Sequence, residues 1–244
     1  MLMSVTQATW RKGERRYLRR PVPVRFPTDF FVPEDKLRFE LRTGLFQLSQ
    51  LAFGDRAIVG SDQFVYFDAG DPQRRLAPDV MVWLGGPDEL FGAWKVWERG
   101  APHVAVEIVS PSDAGPKPWS KKLEAYRQCG VPELVRFNPR AKRTPPLRIW
   151  DRIDGDLVER DVMSASGRHC DALGLYWCIA PDPKLGSMLR LARDSAGQDL
   201  LPTLAEAGQR EAQARQQEAQ ARQQEAAQAE ARIRELEAEL AKRG

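Results

Sequence analysis

The chain has 244 residues, of which 42% are hydrophobic and 29% charged, and its net charge at pH 7 is +3. This size and composition predict an ordinary globular domain with one sizeable core, and a net charge this small does not by itself indicate a nucleic-acid-binding protein. Residues 1–16 lack the apolar core and small-residue cleavage site of a secretory leader, and no run approaches roughly 18 apolar residues, so we expect a soluble, intracellular protein. Three cysteines in no zinc-binding pattern predict reduced thiols in a cytoplasmic protein.

Residues 1–33 form a basic, proline-bearing segment that is predicted to be an N-terminal arm. Residues 11–20, RKGERRYLRR, hold six arginines and lysines against one glutamate. The stretch PVPVRFP at 21–27 is typical of an extended backbone. The arm is expected to be a solvated basic segment, with contact to phosphate groups as the alternative.

Residues 34–195 alternate strand-like and turn-like patterns. KLRFELRTGLFQLS at 36–49 is predicted to form a strand, a Thr-Gly turn and a second strand, and helix near residues 34–38 remains an open alternative. RAIVGSDQFVYFD at 56–68 and PDVMVWL at 78–84 are predicted strands. HVAVEIVS at 103–110 is apolar on both faces, which is typical of a central strand covered on both sides.

Beyond residue 110 the pattern changes to helix and then back to strands. WSKKLEAYRQCG at 119–130 is predicted to be a helix that ends at Gly130. PELVRF at 132–137 is a further strand, and LRIWDRIDGDLVERDV at 147–162 predicts a hairpin around Asp154 and Gly155. One sheet with a crossover helix makes this an α/β or, more broadly, mixed α+β domain.

Residues 206–244 repeat every seven residues. EAQARQQ at 211–217 recurs unchanged at 218–224. With Ile233 at heptad position a, Leu236 falls at d and Leu240 at the next a, so the apolar seam is strongest near the end of the chain. A coiled coil and a lone alanine-rich helix both remain open from this pattern.

Glu107 lies in the middle of the predicted central strand. Because alternate strand residues share a face, its side chain should lie beside Ala105 and Val109. A buried, unpaired carboxylate costs several kcal/mol, so a metal ion, a lysine or an arginine is expected to balance it. Lys122 lies in the inward stripe of the following helix, whereas Lys121 falls on its solvent-like face, so Lys122 is predicted to approach Glu107.

Other oxygen ligands are available for the same purpose. Asp79 opens a predicted strand, Glu40 lies between apolar neighbours, and the backbone carbonyl of Ile108 follows Glu107 directly. Carboxylate and carbonyl oxygens are the ligands that Mg²⁺ and Mn²⁺ prefer, and such an ion activates water for attack on a phosphodiester. A lysine beside it would stabilise the charged transition state.

Several of these motifs resemble the Uma-two-type putative restriction endonuclease family. The resemblance is carried by APDVMVWL, HVAVEIVSPS and KKLEAYRQCGVPEL, in that order, and FELRTG at 39–44 is similar to an early Glu-Leu-x-x-Gly turn of the family. It covers about residues 34–195. A helical tail rich in glutamine, glutamate and arginine is also common there.

The resemblance implies a PD-(D/E)xK nuclease domain, with a restriction-endonuclease-like mixed sheet flanked by helices. It implies that Asp79 and Glu107 bind the metal, that Lys122 is the catalytic lysine, displaced onto the helix, and that Glu40 is an early acidic residue. The expected activity is a Mg²⁺- or Mn²⁺-dependent endonuclease acting on DNA, with RNA as the alternative substrate. The expected assembly is a homodimer helped by the tail.

Two other functional hypotheses remain open from the sequence. The first is a catalytically inactive nucleic-acid-binding protein on the same fold. The second is a scaffold assembled by the coiled coil, whose buried carboxylates only stabilise the fold. The predicted organisation is an arm at 1–33, a nuclease-like domain at 34–195 and a heptad-repeat helix at 206–244.

Overall fold

A computed structural model describes residues 9–12, 15–18, 35–110, 116–142, 144–164 and 166–242. The chain divides into two compact units, Met1–Val32 and Pro33–Gly244. The first contains an antiparallel hairpin of β1 (Thr9–Lys12) and β2 (Arg15–Leu18). The predicted extended stretch at 21–27 lies outside the described residues.

The second unit contains all the other elements. In chain order they are α1 (Lys36–Phe53), β3 (Ala57–Gly60), β4 (Val65–Tyr66), β5 (Arg75–Leu76), β6 (Val80–Leu84), β7 (Trp94–Lys95), α2 (Val96–Arg99), β8 (Val104–Ile108), α3 (Pro116–Cys129), β9 (Glu133–Phe137), β10 (Leu147–Ile153), β11 (Asp156–Glu159), a 3₁₀ turn (Ser166–Arg168), β12 (His169–Cys170), β13 (Leu175–Asp182), β14 (Gly186–Ala192) and α4 (Leu204–Ala241).

Six strands form the central sheet in the order β11-β10-β9-β8-β6-β3. The pairing of β8 with β9 is parallel, and the other neighbouring pairs are antiparallel. Helix α3 connects the two parallel strands, which is the crossover that parallel neighbours require. The mixed α+β fold class predicted from the sequence is therefore confirmed.

Both faces of the central sheet are covered. On one face, Val104, Val106 and Ile108 of β8 pack in a cluster with α1 and the β12-β13-β14 sheet. On the other face, Ala105 packs in a cluster with α3 and the small β5-β4-β7 sheet. Strand β8 is buried along its whole length, as its sequence predicts for a central strand.

Residues 36–49 form a helix, so the predicted strand, turn and strand are wrong. The backbone N–H of Arg38 donates to the side chain of Asp35, 3.0 Å away, and this contact caps the start of α1. Leu41, Leu45 and Leu48 then bury one stripe of the helix. Gly44 makes no turn: a Cβ at this position would lie 3.2 Å from Cε of Met188, so glycine permits the close packing of α1 against β14.

Helix α3 and the β10–β11 hairpin agree well with the predictions made from the sequence. Helix α3 ends at Cys129, and the following Gly130 has φ of 88°. The predicted hairpin joins β10 to β11 through Asp154 and Gly155, both of which have positive φ, as a type I′ turn requires. These turns are local, so short-range sequence signals were sufficient to identify them.

A buried polar cluster links β9 to β13. Glu133 is buried in β9, and its carboxylate accepts hydrogen bonds from Nε1 of Trp177 (2.7 Å) and from Nη2 of Arg160 (3.0 Å). Arg160 also contacts Asp151 of β10, with Nε 2.7 Å from Oδ2. The cluster satisfies a buried carboxylate that is not among the predicted catalytic residues, and it has a structural role.

Replacing Arg160 by methionine is expected to lower the free energy of unfolding by about 3–5 kcal/mol, because Glu133 would remain as a buried charge without its cation. Urea unfolding of the full chain would measure the change. The matched control is Arg193→Met, since Arg193 pairs with Asp199 in an exposed ion pair, whose loss should cost less than about 1 kcal/mol. Equal losses in the two variants would contradict the structural role of the cluster.

Helix α4 is exposed along most of its length. Ile233 and Leu236 are 55% and 43% exposed. Arg215 and Arg222 pair with glutamates four residues earlier on the same helix, Glu211 and Glu218. Across the part of the chain that the structure describes, no helix combines the length and the apolar character needed to cross a membrane.

Candidate active site

Two carboxylates meet at one end of the central sheet. Strands β6 and β8 are antiparallel, and Val80 lies opposite Val106. One residue further along this register, Asp79 lies opposite Glu107. Both residues are buried, at 0% and 2% exposure. The topology therefore brings together two acids that are 28 positions apart in the sequence.

Both oxygens of the Asp79 carboxylate accept hydrogen bonds. Nε and Nη2 of Arg38 each lie 3.0 Å from Oδ1. The backbone N–H of Ile108 donates to Oδ2 at 2.7 Å, which ties the carboxylate to the end of β8. Nε of Arg42, one helical turn after Arg38 on α1, lies 4.0 Å from Oδ1.

Ser61 connects Arg42 to the backbone beside Asp79. Its hydroxyl donates to the carbonyl oxygen of Asp79 at 2.9 Å and accepts from Nη1 of Arg42 at 3.1 Å. Because these contacts join α1, the end of β3 and the start of β6, they fix the helix against this end of the sheet.

The Glu107 carboxylate faces α3. Nζ of Lys122 donates to Oε2 at 3.0 Å, and the hydroxyl of Tyr126 donates to Oε1 at 2.6 Å. Lys122 and Tyr126 are four residues apart, so they project from the same side of the helix. The predicted contact of Lys122 with Glu107 is confirmed, and Lys121 is exposed as predicted.

Burial and like charge dominate the electrostatics of the pair. Burial, reinforced by the negative charge of Glu107, raises the pKa of Asp79 to about 7, although Arg38 and the Ile108 amide act in the opposite direction. Burial and the same Glu107 charge raise the pKa of Tyr126 well above its ordinary value. The phenol therefore stays protonated and remains a hydrogen-bond donor to Glu107.

A third cationic side chain lies on the neighbouring strand. Arg136 of β9 is the register partner of Glu107 in the parallel pair, and its guanidinium lies 4.8 Å from the ring centroid of Trp119. Stacking of this kind orients a guanidinium. The carboxylate pair is thus bordered by cations from α1, α3 and β9.

Glu40 lies on α1 and not in a hairpin. Its carboxylate accepts from Nζ of Lys184 at 2.7 Å, and this hydrogen bond lowers the pKa of Glu40. The side chains of α1 that reach Asp79 are those of Arg38 and Arg42, each two residues away from Glu40 and therefore on another side of the helix. The structure brings Asp79, Glu107 and Lys122 together, and it gives Glu40 a different partner.

The donor set fits a hard divalent cation. When both are ionised, Asp79 and Glu107 repel each other, and a dication would relieve that repulsion as well as balance two buried charges. Mg²⁺ commonly takes one or two protein carboxylates and fills its remaining positions with water and substrate oxygens. Over the described ranges, no group of three or more His, Cys, Asp or Glu side chains is placed to hold a metal. The Asp79–Glu107 pair would therefore bind an ion together with water and substrate oxygens.

The sequence analysis did not identify Arg38, Arg42 or the hydroxyl of Tyr126 as parts of the site. The arginines stand four apart beside a leucine stripe, a signal that has meaning only once residues 36–53 are recognised as a helix. Tyr126 lies in the same inward stripe of α3 as Lys122, where an aromatic residue usually indicates core packing. It is fully buried, but its hydroxyl also contacts Glu107.

Comparison with known proteins gives one family match and a remote structural neighbour. The model of the family Uma2, described as "Putative restriction endonuclease", matches residues 32–181, more than half of the chain. A crystal structure of "a putative nuclease belonging to DUF820" from Anabaena variabilis ATCC 29413 has 12% sequence identity and a TM-score of 0.39, and the alignment covers 63% of this chain and 75% of that one. No curated protein matches the chain.

Proposed function

Because the chain belongs to the Uma2 family of putative restriction endonucleases, we propose that it is a metal-dependent endonuclease that hydrolyses phosphodiester bonds in DNA. The observation that supports this most directly is the meeting of Asp79, Glu107 and Lys122 at one end of the central sheet. A buried pair of acids can hold Mg²⁺ or Mn²⁺, and a lysine beside it can stabilise negative charge on the phosphate, so this arrangement suits phosphodiester hydrolysis.

In this proposal Asp79 and Glu107 hold the ion. When bound, it lowers the pKa of water and neutralises charge on a phosphoryl oxygen. Lys122, whose side chain is 25% exposed and therefore reachable from solvent, donates to the developing negative charge at the phosphate. Tyr126 acts as a positioning residue, because its hydroxyl fixes the orientation of the Glu107 carboxylate. The carbonyl of Ile108 remains a proposed further ligand, and Glu40, which accepts from Lys184, remains a proposed acidic residue outside the metal-binding pair.

A purified-protein cleavage assay tests this function. The full chain would be incubated with supercoiled plasmid, linear duplex and single-stranded RNA, each with Mg²⁺, with Mn²⁺ and with EDTA. We expect nicking or linearisation of the DNA in the presence of either metal and no cleavage with EDTA. Cleavage of RNA alone would indicate that RNA, and not DNA, is the substrate. Cleavage of neither nucleic acid would contradict the proposal.

One observation favours a second candidate. Both carboxylates already have cationic partners, Arg38 at Asp79 and Lys122 at Glu107. A buried acid that is neutralised by protein side chains can serve the fold alone. A catalytically inactive nucleic-acid-binding protein would bind DNA without metal, with an affinity that falls as the salt concentration rises, and would leave the DNA intact.

We also propose that the protein acts as a cytoplasmic homodimer. The three cysteines are buried and unpaired, which agrees with a reducing compartment. Two copies of the site could cut both strands of a duplex, and helix α4 offers an exposed seam for pairing. A parallel arrangement would align Ile233 and Leu236 with the same residues of the second copy.

Introducing Ile233→Glu and Leu236→Glu together is expected to convert the dimer into a monomer, because four carboxylates would face one another across the seam. Sedimentation velocity at micromolar concentration would measure the change. The control is Ala231→Glu, which adds a charge at heptad position f, on the far side of the same helix. A wild-type protein that sediments as a monomer would contradict the proposed dimer.

A further inference from the structure

The guanidinium of Arg38 lies at Oδ1 of Asp79, one of the two oxygens through which Asp79 can bind a metal ion. Two nitrogens of its guanidinium lie 3.0 Å from Oδ1. The other oxygen, Oδ2, accepts the backbone N–H of Ile108, a donor that belongs to the framework of the central sheet. A cation that binds Asp79 through Oδ1 must therefore displace Arg38, which already lies there.

A guanidinium and a divalent cation cannot both bind Oδ1 of Asp79 without a free-energy cost from their electrostatic repulsion. Both are positive, and the site is buried, so their repulsion is screened less than it would be in water. Asp79 cannot turn away from Arg38 easily, because its side chain is 1% exposed and Oδ2 is tied to β8. Arg38 is more mobile in principle, since its side chain is long and 22% exposed.

Arg38 is also positioned to meet an anion. It lies on the first turns of α1, and Arg42 follows one turn later, with Nε 4.0 Å from the same oxygen. A guanidinium that leaves Oδ1 toward solvent would meet the phosphodiester that an ion at Asp79 contacts. Arginine can donate two parallel N–H···O hydrogen bonds to a phosphate, as it can to a carboxylate.

We infer that Arg38 is the resident counter-ion of Asp79: it competes with the divalent cation for Oδ1 and moves to the substrate phosphate when the cation binds. This inference rests on the proposed function. It assigns Arg38 a positioning role and makes the binding of metal and of DNA cooperative, because the phosphate stabilises the displaced arginine.

Metal binding measured by isothermal titration calorimetry tests the inference without any cleavage. Mn²⁺ would be titrated into the full chain and into Arg38→Gln, Arg42→Gln and Lys36→Gln. We expect Arg38→Gln to bind Mn²⁺ about tenfold more tightly than wild type, a coupling of ordinary size. The effect should be smaller for Arg42→Gln and smallest for Lys36→Gln, which removes the same charge from an exposed position on the same helix.

A second measurement addresses cooperativity. Ca²⁺, a hard cation that prefers the same oxygen ligands, would be titrated with and without a short DNA duplex whose integrity is checked on a gel. DNA should tighten Ca²⁺ binding to wild type by about tenfold, and this gain should be smaller in Arg38→Gln, in which only the direct contact of the ion with the phosphate remains. Arg38→Lys, which keeps the charge but not the two-pronged contact, serves as the folded variant if Arg38→Gln is unstable, and it should bind Mn²⁺ with intermediate affinity.

The outcomes separate this inference from the proposed function. If wild type binds Mn²⁺ and cleaves DNA, while Arg38→Gln binds Mn²⁺ no more tightly, the inference is overturned and the nuclease proposal stands. If Arg38→Gln binds Mn²⁺ and wild type does not, the competition is supported even in the absence of cleavage. If neither protein binds Mn²⁺ or Ca²⁺, both proposals are overturned.

Discussion

Replacing Glu107 by glutamine is expected to reduce metal-dependent DNA cleavage by about 10³-fold or more, because the amide removes one of two carboxylates proposed to hold the ion. Glutamine has nearly the same shape, so packing against Tyr126 is retained. The buried amide can still accept from Lys122, which limits the loss of stability. The measurement is the initial rate of plasmid nicking in Mg²⁺, with circular dichroism to verify the fold.

The control for this variant is Glu124→Gln. Glu124 lies on α3, as Lys122 and Tyr126 do, but on the exposed side, where it pairs with Arg127. Its loss should change the nicking rate by less than about twofold, since an exposed surface pair contributes little. If Glu107→Gln retained the wild-type rate, the cleavage would come from another site or from a contaminating nuclease.

Replacing Lys122 by methionine is expected to lower the rate of the chemical step by about 10²-fold, because a positioned cation at the phosphate would be lost. Methionine keeps most of the length and apolar character of the lysine side chain. Mn²⁺ affinity should stay the same or increase, since a positive charge beside Glu107 is removed. Single-turnover cleavage and calorimetry would separate the two effects.

Lys121→Met is an unusually close control. It makes the same substitution one position earlier on the same helix, where the side chain is exposed. A change in net charge or in non-specific attraction to DNA would affect both variants, whereas loss of the catalytic cation would affect only Lys122→Met. Equal rates in the two variants would contradict the catalytic role of Lys122.

The central part of this site could be predicted because its signals are local. A carboxylate in an apolar strand and a lysine in the inward stripe of the next helix required only strand and helix periodicity, and the contact of Lys122 with Glu107 followed from them. The position of Asp79 followed from a strand that begins directly after it. Strand β8 and helix α3 are consecutive elements of the chain, whereas β7 and α2 lie between β6 and β8.

The surroundings of Asp79 could not be predicted in the same way. Residues 36–49 contain Arg-Thr-Gly, which favours a turn, and only packing against β14 explains a glycine inside α1. Once the helix was missed, Arg38 and Arg42 could not be placed. Their contacts with Asp79 join residues about 40 positions apart, and tertiary packing decides such contacts.

The position of α1 has a consequence for how the protein is made. Its leucine face is buried in one cluster with β13 and β14, which the ribosome synthesises more than a hundred residues later. A nascent chain therefore carries both acids and the lysine well before the strands that hold the arginine-bearing helix in place. The arginine-bearing helix would therefore reach its place beside the two acids only after β13 and β14 have been synthesised.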